Sequence, residues 1–236
     1  MPAVVLLSGG LDSSTVAAMA KADGHELFAL TVDYNQRHQT ELNAAKNVAR
    51  FLGIRRQVVL PINLRLFGGS SLTDAIEVPK EVPPEQIGRS IPNTYVPARN
   101  TVLLSLALAY AETVHAREIY LGISQVDFSG YPDCRPEFLD AFEHLASVAT
   151  KCGVEAAQAG LPGIKIHAPL LHWTKAETIR RGLELGLDYS LTWTCYDPTP
   201  GGLSCGRCES CTLRRQGFQE VGVEDPLLYE NSNSSC

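Results

Sequence analysis

The sequence predicts an α/β fold: a doubly wound, mainly parallel sheet followed by a small C-terminal segment organised by cysteines. Three observations predict it. Five short β-like runs alternate with helical patterns, the rhythm of repeated strand–helix–strand units. Several of those runs are continuously apolar rather than alternating, as strands covered on both faces read. Three of the seven cysteines crowd into Cys205, Cys208 and Cys211, with Cys195 ten residues before them.

The elements follow in order. The first strand is "AVVLL" at 3–7, and a helix is expected over 12–23. "ELFALTVD" (26–33) is the second strand, with a helix over 38–52 behind it, and "QVVL" (57–60) is the third. Residues 61–97 carry six prolines and no sustained period, so they read as a long functional loop or lid. A helix over 98–115 includes the apolar stretch "TVLLSLALAYAETV". "EIYLGI" (118–123) is the fourth strand; Pro136 and Glu137 then suit the first turn of a helix over 136–151. "IKIHAPL" (164–170) is the fifth strand and 174–185 the next helix. The division expected is a main unit at 1–193, a cysteine segment at 194–229 and a polar, disordered tail at 230–236.

A length of 236 residues with 44% hydrophobic content is ample for one large core. No apolar stretch approaches the roughly 18–20 residues of a membrane span, and the N-terminus has no basic flank or cleavage site, so no membrane or secretory signal is expected. A net charge of −6 argues against a broad phosphate-tracking surface, and no nucleic-acid partner is expected. Without a secretory signal, the cysteine spacing suggests metal rather than disulfides.

The chemistry begins at "SGGLDS" (8–13), where the first strand ends. In a doubly wound sheet the first strand–loop–helix turn is a favoured anion site. Gly9 and Gly10 allow positive φ and close backbone approach. Ser8, Ser13, Ser14 and Thr15 offer hydroxyls, and the helix start points free N–H groups into the loop. The plainer reading is a strand–helix turn with Asp12 as its N-cap. Neither a Walker A loop nor a G-x-G-x-x-G pattern is present. Arg99 and Asn100 open a helix, where the guanidinium suits a phosphate or a carboxylate. Arg37 and His38 follow the second strand, where they would line a nucleotide site. "DFSGYPDCRPEF" (127–138) sets Asp127, Ser129, Asp133 and Arg135 at a strand end, with Tyr131 able to stack on a base. Four thiolates from Cys195, Cys205, Cys208 and Cys211 suit a closed structural zinc site, with an iron–sulfur cluster as the rival.

"SGGLDS" resembles the pyrophosphate loop of the ATP pyrophosphatase superfamily, whose members use ATP to adenylate a carbonyl or carboxylate. Together with "TVDYNQRH", "NTYVPARNT", "SGYPDCRPEF" and "CGRCESC", it gives a chain similar to the 7-cyano-7-deazaguanine synthase family from about residue 3 to residue 217. The resemblance implies a Rossmann-like, adenine nucleotide alpha-hydrolase-like fold. It implies ATP bound by Leu7, Ser8, Gly9, Gly10, Leu11, Asp12, Ser13, Ser14, Thr15, Val16 and Ala17, with Arg37 and His38, and Asp12, Ser13 and Arg99 at the reacting phosphate. The substrate implied is 7-carboxy-7-deazaguanine, its base edge met by Asp133 first and Asp127 second, beside Ser129, Tyr131 and Arg135. Zinc on the four cysteines, magnesium with ATP, a homodimer and a cytoplasmic location also follow from the resemblance. No length remains for a glutaminase domain, so free ammonium is the nitrogen source expected. The rivals are a tRNA-modifying ligase or thiolase on the same loop and a non-catalytic nucleotide-binding module. The departures are Asn35 and Ala98, where the family usually has glycine, and Gln125 and Val126 beside the substrate loop.

Overall fold

A computed structural model describes residues 1–34, 40–83, 86–87, 90–124 and 130–230. The five strands are β1 (Pro2–Leu6), β2 (Glu26–Asp33), β3 (Arg56–Pro61), β4 (Glu118–Tyr120) and β5 (Lys165–His167). They form one parallel sheet in the order β3-β2-β1-β4-β5. The winding direction reverses between β1 and β4, which opens a crevice at their C-terminal ends.

Alternate side chains of β1 serve two cores. Ala3 and Val5 face α1 (Leu11–Ala22), α2 (Thr40–Phe51), α6 (Lys175–Glu184) and α7 (Glu209–Val221). Val4 faces α3 (Arg99–Thr113) and α4 (Pro136–Ala149), packing with Leu104, Ala107, Ile119 and Phe142. All three β1 residues are 0% exposed, which is why this strand reads as a continuous apolar run.

Three elements depart from the sequence expectation. β4 stops at Tyr120 because Gly122 lies against α1, where an added Cβ would sit 2.6 Å from the Ser13 backbone nitrogen. β5 stops at His167, and Pro169 beyond it has no N–H to extend the ladder. The helix expected over 136–151 ends at Ala149. Thr150 then adopts an extended conformation and caps a separate helix, α5 (Lys151–Gln158), by accepting a bond from the Gly153 N–H at 3.0 Å. α7 had no expectation at all: its N-cap is Cys208, and it ends at Gly222 in the left-handed conformation.

The described part of 61–97 is packed as a strap. Its Leu64, Leu72, Val78 and Val96 share an apolar cluster with Trp193, Cys195, Cys205, Cys208 and Cys211. Lys80 bridges to Cys208 in an antiparallel pairing, and the Glu81 N–H donates to the Arg207 carbonyl at 2.9 Å. No helix among the described residues is long and apolar enough to cross a membrane.

Candidate active site and four-cysteine centre

The Ser-Gly-Gly turn is shaped by close backbone contact. Gly9 has φ +84°, and an added Cβ would lie 2.4 Å from the Ala45 nitrogen and 2.6 Å from the Glu41 carbonyl of α2. From the other side, the Trp193 N–H donates to the Gly9 carbonyl at 2.9 Å. The loop is thus clamped between α2 and the cysteine segment. Ser8 and Ser13 are joined through their hydroxyls at 3.0 Å, and the Gly10 N–H reaches Ser8 Oγ at 3.3 Å. The first-turn N–H groups of α1 have no intrahelical acceptors by helix geometry, so they are available to an anion.

A cavity of about 210 Å³ opens at this turn. Leu7, Ser8, Gly10, Leu11, Asp12 and Ser13 line it from the loop, Thr31 and Val32 from the end of β2, and Arg99 from α3. Ser14 and Thr15 turn their hydroxyls back to the Gly10 and Leu11 carbonyls at 2.7 and 2.9 Å and are 0% exposed. Val16 and Ala17 lie in the core behind them. A second, smaller chamber of about 60 Å³ is lined by Pro92, Ser124, Gly130, Tyr131, Lys175 and Arg214, among others. The two share a wall made of Leu11, Asp12, Thr194, Tyr196 and Ser210.

Charges at this wall are paired across the fold. Lys175, the first residue of α6, places Nζ 2.7 Å from both carboxylate oxygens of Asp12. Its stem runs past Gly217 of α7, where a Cβ would meet Lys175 Cγ at 2.9 Å. In the larger cavity Glu41 and Tyr34 stand beside Arg99. Burial pushes the Glu41 carboxyl up to about 7 against the opposing pull of Arg99, and burial likewise pushes Tyr34 up to about 12. Burial is the largest influence on Arg99 and opposes its charge; Tyr34, Tyr131, Cys134 and Tyr196 act the other way, and its pKa lies above the usual range.

Of the substrate-loop residues, Tyr131 and Asp133 line one small cleft with Arg99. Tyr131 lines the smaller chamber and stacks on Tyr95, centroids 5.7 Å apart. Asp133 is buried and accepts from the Asn100 N–H through Oδ2 at 2.8 Å, holding the start of α3. The Asn100 amide in turn donates to the Asp133 carbonyl at 3.1 Å and to Cys134 Sγ at 3.0 Å. Arg135 is exposed as the N-cap of α4 and lines neither chamber. Arg37, His38, Asp127 and Ser129 lie outside the described residues, as do Asn35, Gln125 and Val126. Ala98 has φ 52° and ψ 26°, a left-handed conformation that explains physically why glycine suits this position.

Cys195, Cys205, Cys208 and Cys211 are all buried, with their sulfurs within 4.8 Å of one another. Sulfurs placed tetrahedrally about one ion at about 2.3 Å stand somewhat under 4 Å apart, so the set fits a four-thiolate metal site. Backbone N–H groups of Cys205 and Cys208 donate to Cys195 Sγ and Cys205 Sγ at 3.2 and 3.3 Å, the pattern that stabilises thiolates. The sulfur of Cys195 and those of its companions draw Cys205 well below the usual thiol range.

Lys175, Thr194, Tyr196, Ser210, Tyr34 and Glu41 were not singled out by the sequence. Thr174 and Glu177 form a capping box that marks the start of α6. No local pattern, however, ties Lys175 to Asp12, 163 positions away.

A Ser-Gly-Gly turn at a topological switch point, two chambers that share a wall and four clustered cysteines give an α/β protein with an enzyme-like site. The family model described as "Queuosine biosynthesis protein QueC" matches residues 2–222. The 7-cyano-7-deazaguanine synthase of Rhizorhabdus wittichii is 58% identical over 96% of this chain and 95% of its own length. That of Paramagnetospirillum magneticum is 56% identical over 97% and 98%, and that of Pseudomonas putida 54% over 96% and 97%. The chain belongs to the QueC family.

Proposed function

We propose that this chain is an ATP-dependent ligase that converts 7-carboxy-7-deazaguanine and ammonium to 7-cyano-7-deazaguanine, in queuosine-type base biosynthesis. The observation that carries the reading is the pair of chambers meeting at Asp12, one of them opening on the Ser-Gly-Gly turn. The larger takes ATP, with phosphates on Ser8, Ser13 and the first turn of α1 and the nucleoside along the end of β2. The smaller takes the carboxylated base beside Tyr131.

A carboxylate is a poor electrophile because its oxygen is a poor leaving group. Attack of that oxygen on the α-phosphorus forms a C–O–P link and breaks the bond to pyrophosphate. Ammonia then adds its lone pair to the acyl carbon, AMP departs with the oxygen, and a proton is lost to leave the amide. A second activation through the amide oxygen, with loss of AMP and two protons, leaves the C≡N group. Donors aimed at the departing pyrophosphate supply the electrostatic part, and Arg99 and Lys175 supply positive charge near it. Magnesium would arrive on the phosphates beside Asp12 and neutralise charge on the leaving group.

Zinc is the ion proposed for the four cysteines; with all four ligands from protein it leaves no open position and serves structure. Its thiolates suit the reducing cytoplasm. A two-fold homodimer is the assembly proposed. Support comes from the edge strand β3, with Val58 and Val59 both 38% exposed, and from Leu66 and Phe67 at 80% and 84%. Light scattering at micromolar concentration reads it directly.

The test is one reaction. Protein, 7-carboxy-7-deazaguanine, ammonium, magnesium and ATP are mixed, and bases and nucleotides are followed by mass spectrometry. Nitrile with AMP is the expected result, and nitrile with ADP redirects the activation to the γ-phosphate. Intact ATP and unchanged base in a folded, zinc-loaded sample overturn the assignment.

A further inference from the structure

On the function proposed above, Arg99 serves the phosphates and Tyr131 the base, yet the two stand on different elements. Arg99 opens α3 and lines the larger chamber. Tyr131 lies between β4 and α4 and lines the smaller one. Both are half-buried. They also meet at one small cleft, together with Thr94, Tyr95, Val96 and Asp133. Thr94 and Tyr95 come from the end of the proline-rich strap, and neither has a part in the chemistry described so far.

Tyr95 touches both elements with different parts of one side chain. Its hydroxyl oxygen accepts from the Ala98 N–H at 3.0 Å. Ala98 holds the left-handed conformation that turns the chain into α3. An alanine is strained there, so an acceptor for its N–H favours the turn that presents Arg99. The ring of Tyr95 stacks on Tyr131, with centroids 5.7 Å apart and planes 23° from parallel, an arrangement worth more than its area alone. Thr94, 3% exposed, meets the Tyr131 hydroxyl through Oγ1 at 3.2 Å, so the Tyr131 ring is held at its face and at its tip. Tyr95 is itself anchored. Its N–H donates to the Pro92 carbonyl at 3.0 Å, and the Asn93 carbonyl accepts from the Ser71 N–H at 2.8 Å.

We propose that Tyr95 is a positioning residue that aligns the two chambers with each other. Its hydroxyl fixes the turn that carries Arg99, and its ring fixes Tyr131. Tyr95 needs no contact with either ligand. Attack of the base's carboxylate oxygen on phosphorus requires both reactants to be held in one frame, and a small displacement of either lowers the rate. One side chain that braces Arg99 and Tyr131 together supplies that frame. The role rests on the two-chamber reading and adds to it what keeps the chambers in register.

Tyr95→Phe keeps the ring and removes the hydroxyl; Tyr95→Leu removes both. Both are made in the full, zinc-loaded chain and assayed for nitrile formation, with Tm alongside. In the phenylalanine variant kcat falls by ~2–10-fold, the size of one hydrogen bond, and the KM for 7-carboxy-7-deazaguanine stays within about twofold. In the leucine variant kcat falls at least as far, and the KM for that base also rises by ~3–10-fold as the aromatic pair is lost. The split between the two variants is the signature, since a residue that only fills space moves Tm without separating kcat from KM. Wild-type kinetics in the leucine variant overturn the role and leave the reaction intact. A loss of activity that follows Tm and is equal in both variants overturns it too, and assigns Tyr95 to packing. A wild-type protein that makes no nitrile removes the reaction and this role together.

Discussion

The turn before α1 and the turn before α7 do the same job with opposite means. Each sets a helix N-terminus against the chambers. The first is held by a core: eight of the twelve residues of α1 are buried, and Gly9 lies flat on the backbone of α2. The second is held by a cluster of four buried cysteines and one buried arginine. α7 buries only Cys211, Arg214, Gly217 and Phe218, and four sulfurs fix its start. Arg214, 1% exposed, completes the hold through Asp225, Thr192 Oγ1 and the Tyr189 carbonyl. A loop with a full apolar helix behind it needs no metal. A polar segment that forms a pocket wall gains its hold from side chains that converge from several turns of chain.

The largest effect expected tests the cysteine-held side. Cys208→Ser, or chelation, removes a site whose binding energy is folding energy, on the order of 10 kcal/mol in small metal domains. Activity falls at least ~100-fold, metal content drops, and the 194–230 segment becomes protease-sensitive while the sheet stays folded. Loss of the whole fold would mean the two regions are one cooperative unit.

Lys175→Met breaks the link between the regions, since it removes the ammonium held by Asp12 beside the loop. kcat is expected to fall by ~100-fold or more, with metal content unchanged. An unchanged rate would make the ion pair a structural tie only. Gly9→Ala strikes the core-held side. The Cβ overlaps the α2 backbone at positive φ, which costs about 3 kcal/mol and lowers Tm by roughly 10 °C. A smaller drop would show that α2 can yield.

Glu41 carries a pH signature. Its folded pKa of about 7 lies above the ordinary 4.5, so the folded state holds the proton more tightly than the unfolded chain. That contribution is fully present below about 4.5 and is lost as pH rises through about 7. Glu41→Gln should flatten this slope, worth about 1–3 kcal/mol, in urea melts at pH 5 and pH 8. An identical slope in the variant would assign it elsewhere. The smallest effect is Ala98→Gly, which relieves a left-handed alanine. A gain of up to about 1 kcal/mol is expected in the same melts, and a loss would show that chain entropy outweighs the strain.

Local chemistry was enough for much of this. The apolar runs at 3–7 and 26–33 can be satisfied only by burial on both faces, so the parallel sheet was legible. Two glycines before Asp12 announced the turn, and the spacing of Cys205, Cys208 and Cys211 announced the metal centre, because both depend on near neighbours. The break at Thr150 was not legible, since a threonine can sit inside a helix as well as cap the next one. The fate of Asp133 was hidden too. Nothing near it says that its carboxylate closes the start of α3.

What the sequence determined by itself was the set of parts: strands, helix starts, an anion-binding turn and four thiols. These follow from backbone sterics, apolar period and ligand type over a few residues. The tertiary structure alone decided that Lys175 meets Asp12 and that Thr194 and Ser210 line the same wall. It also decided that Gly217 leaves room for the lysine stem. Those pairings join α1, α6 and α7, and they arise because a charge or a methylene settles where distant elements leave space, a quantity that packing sets and no local pattern encodes.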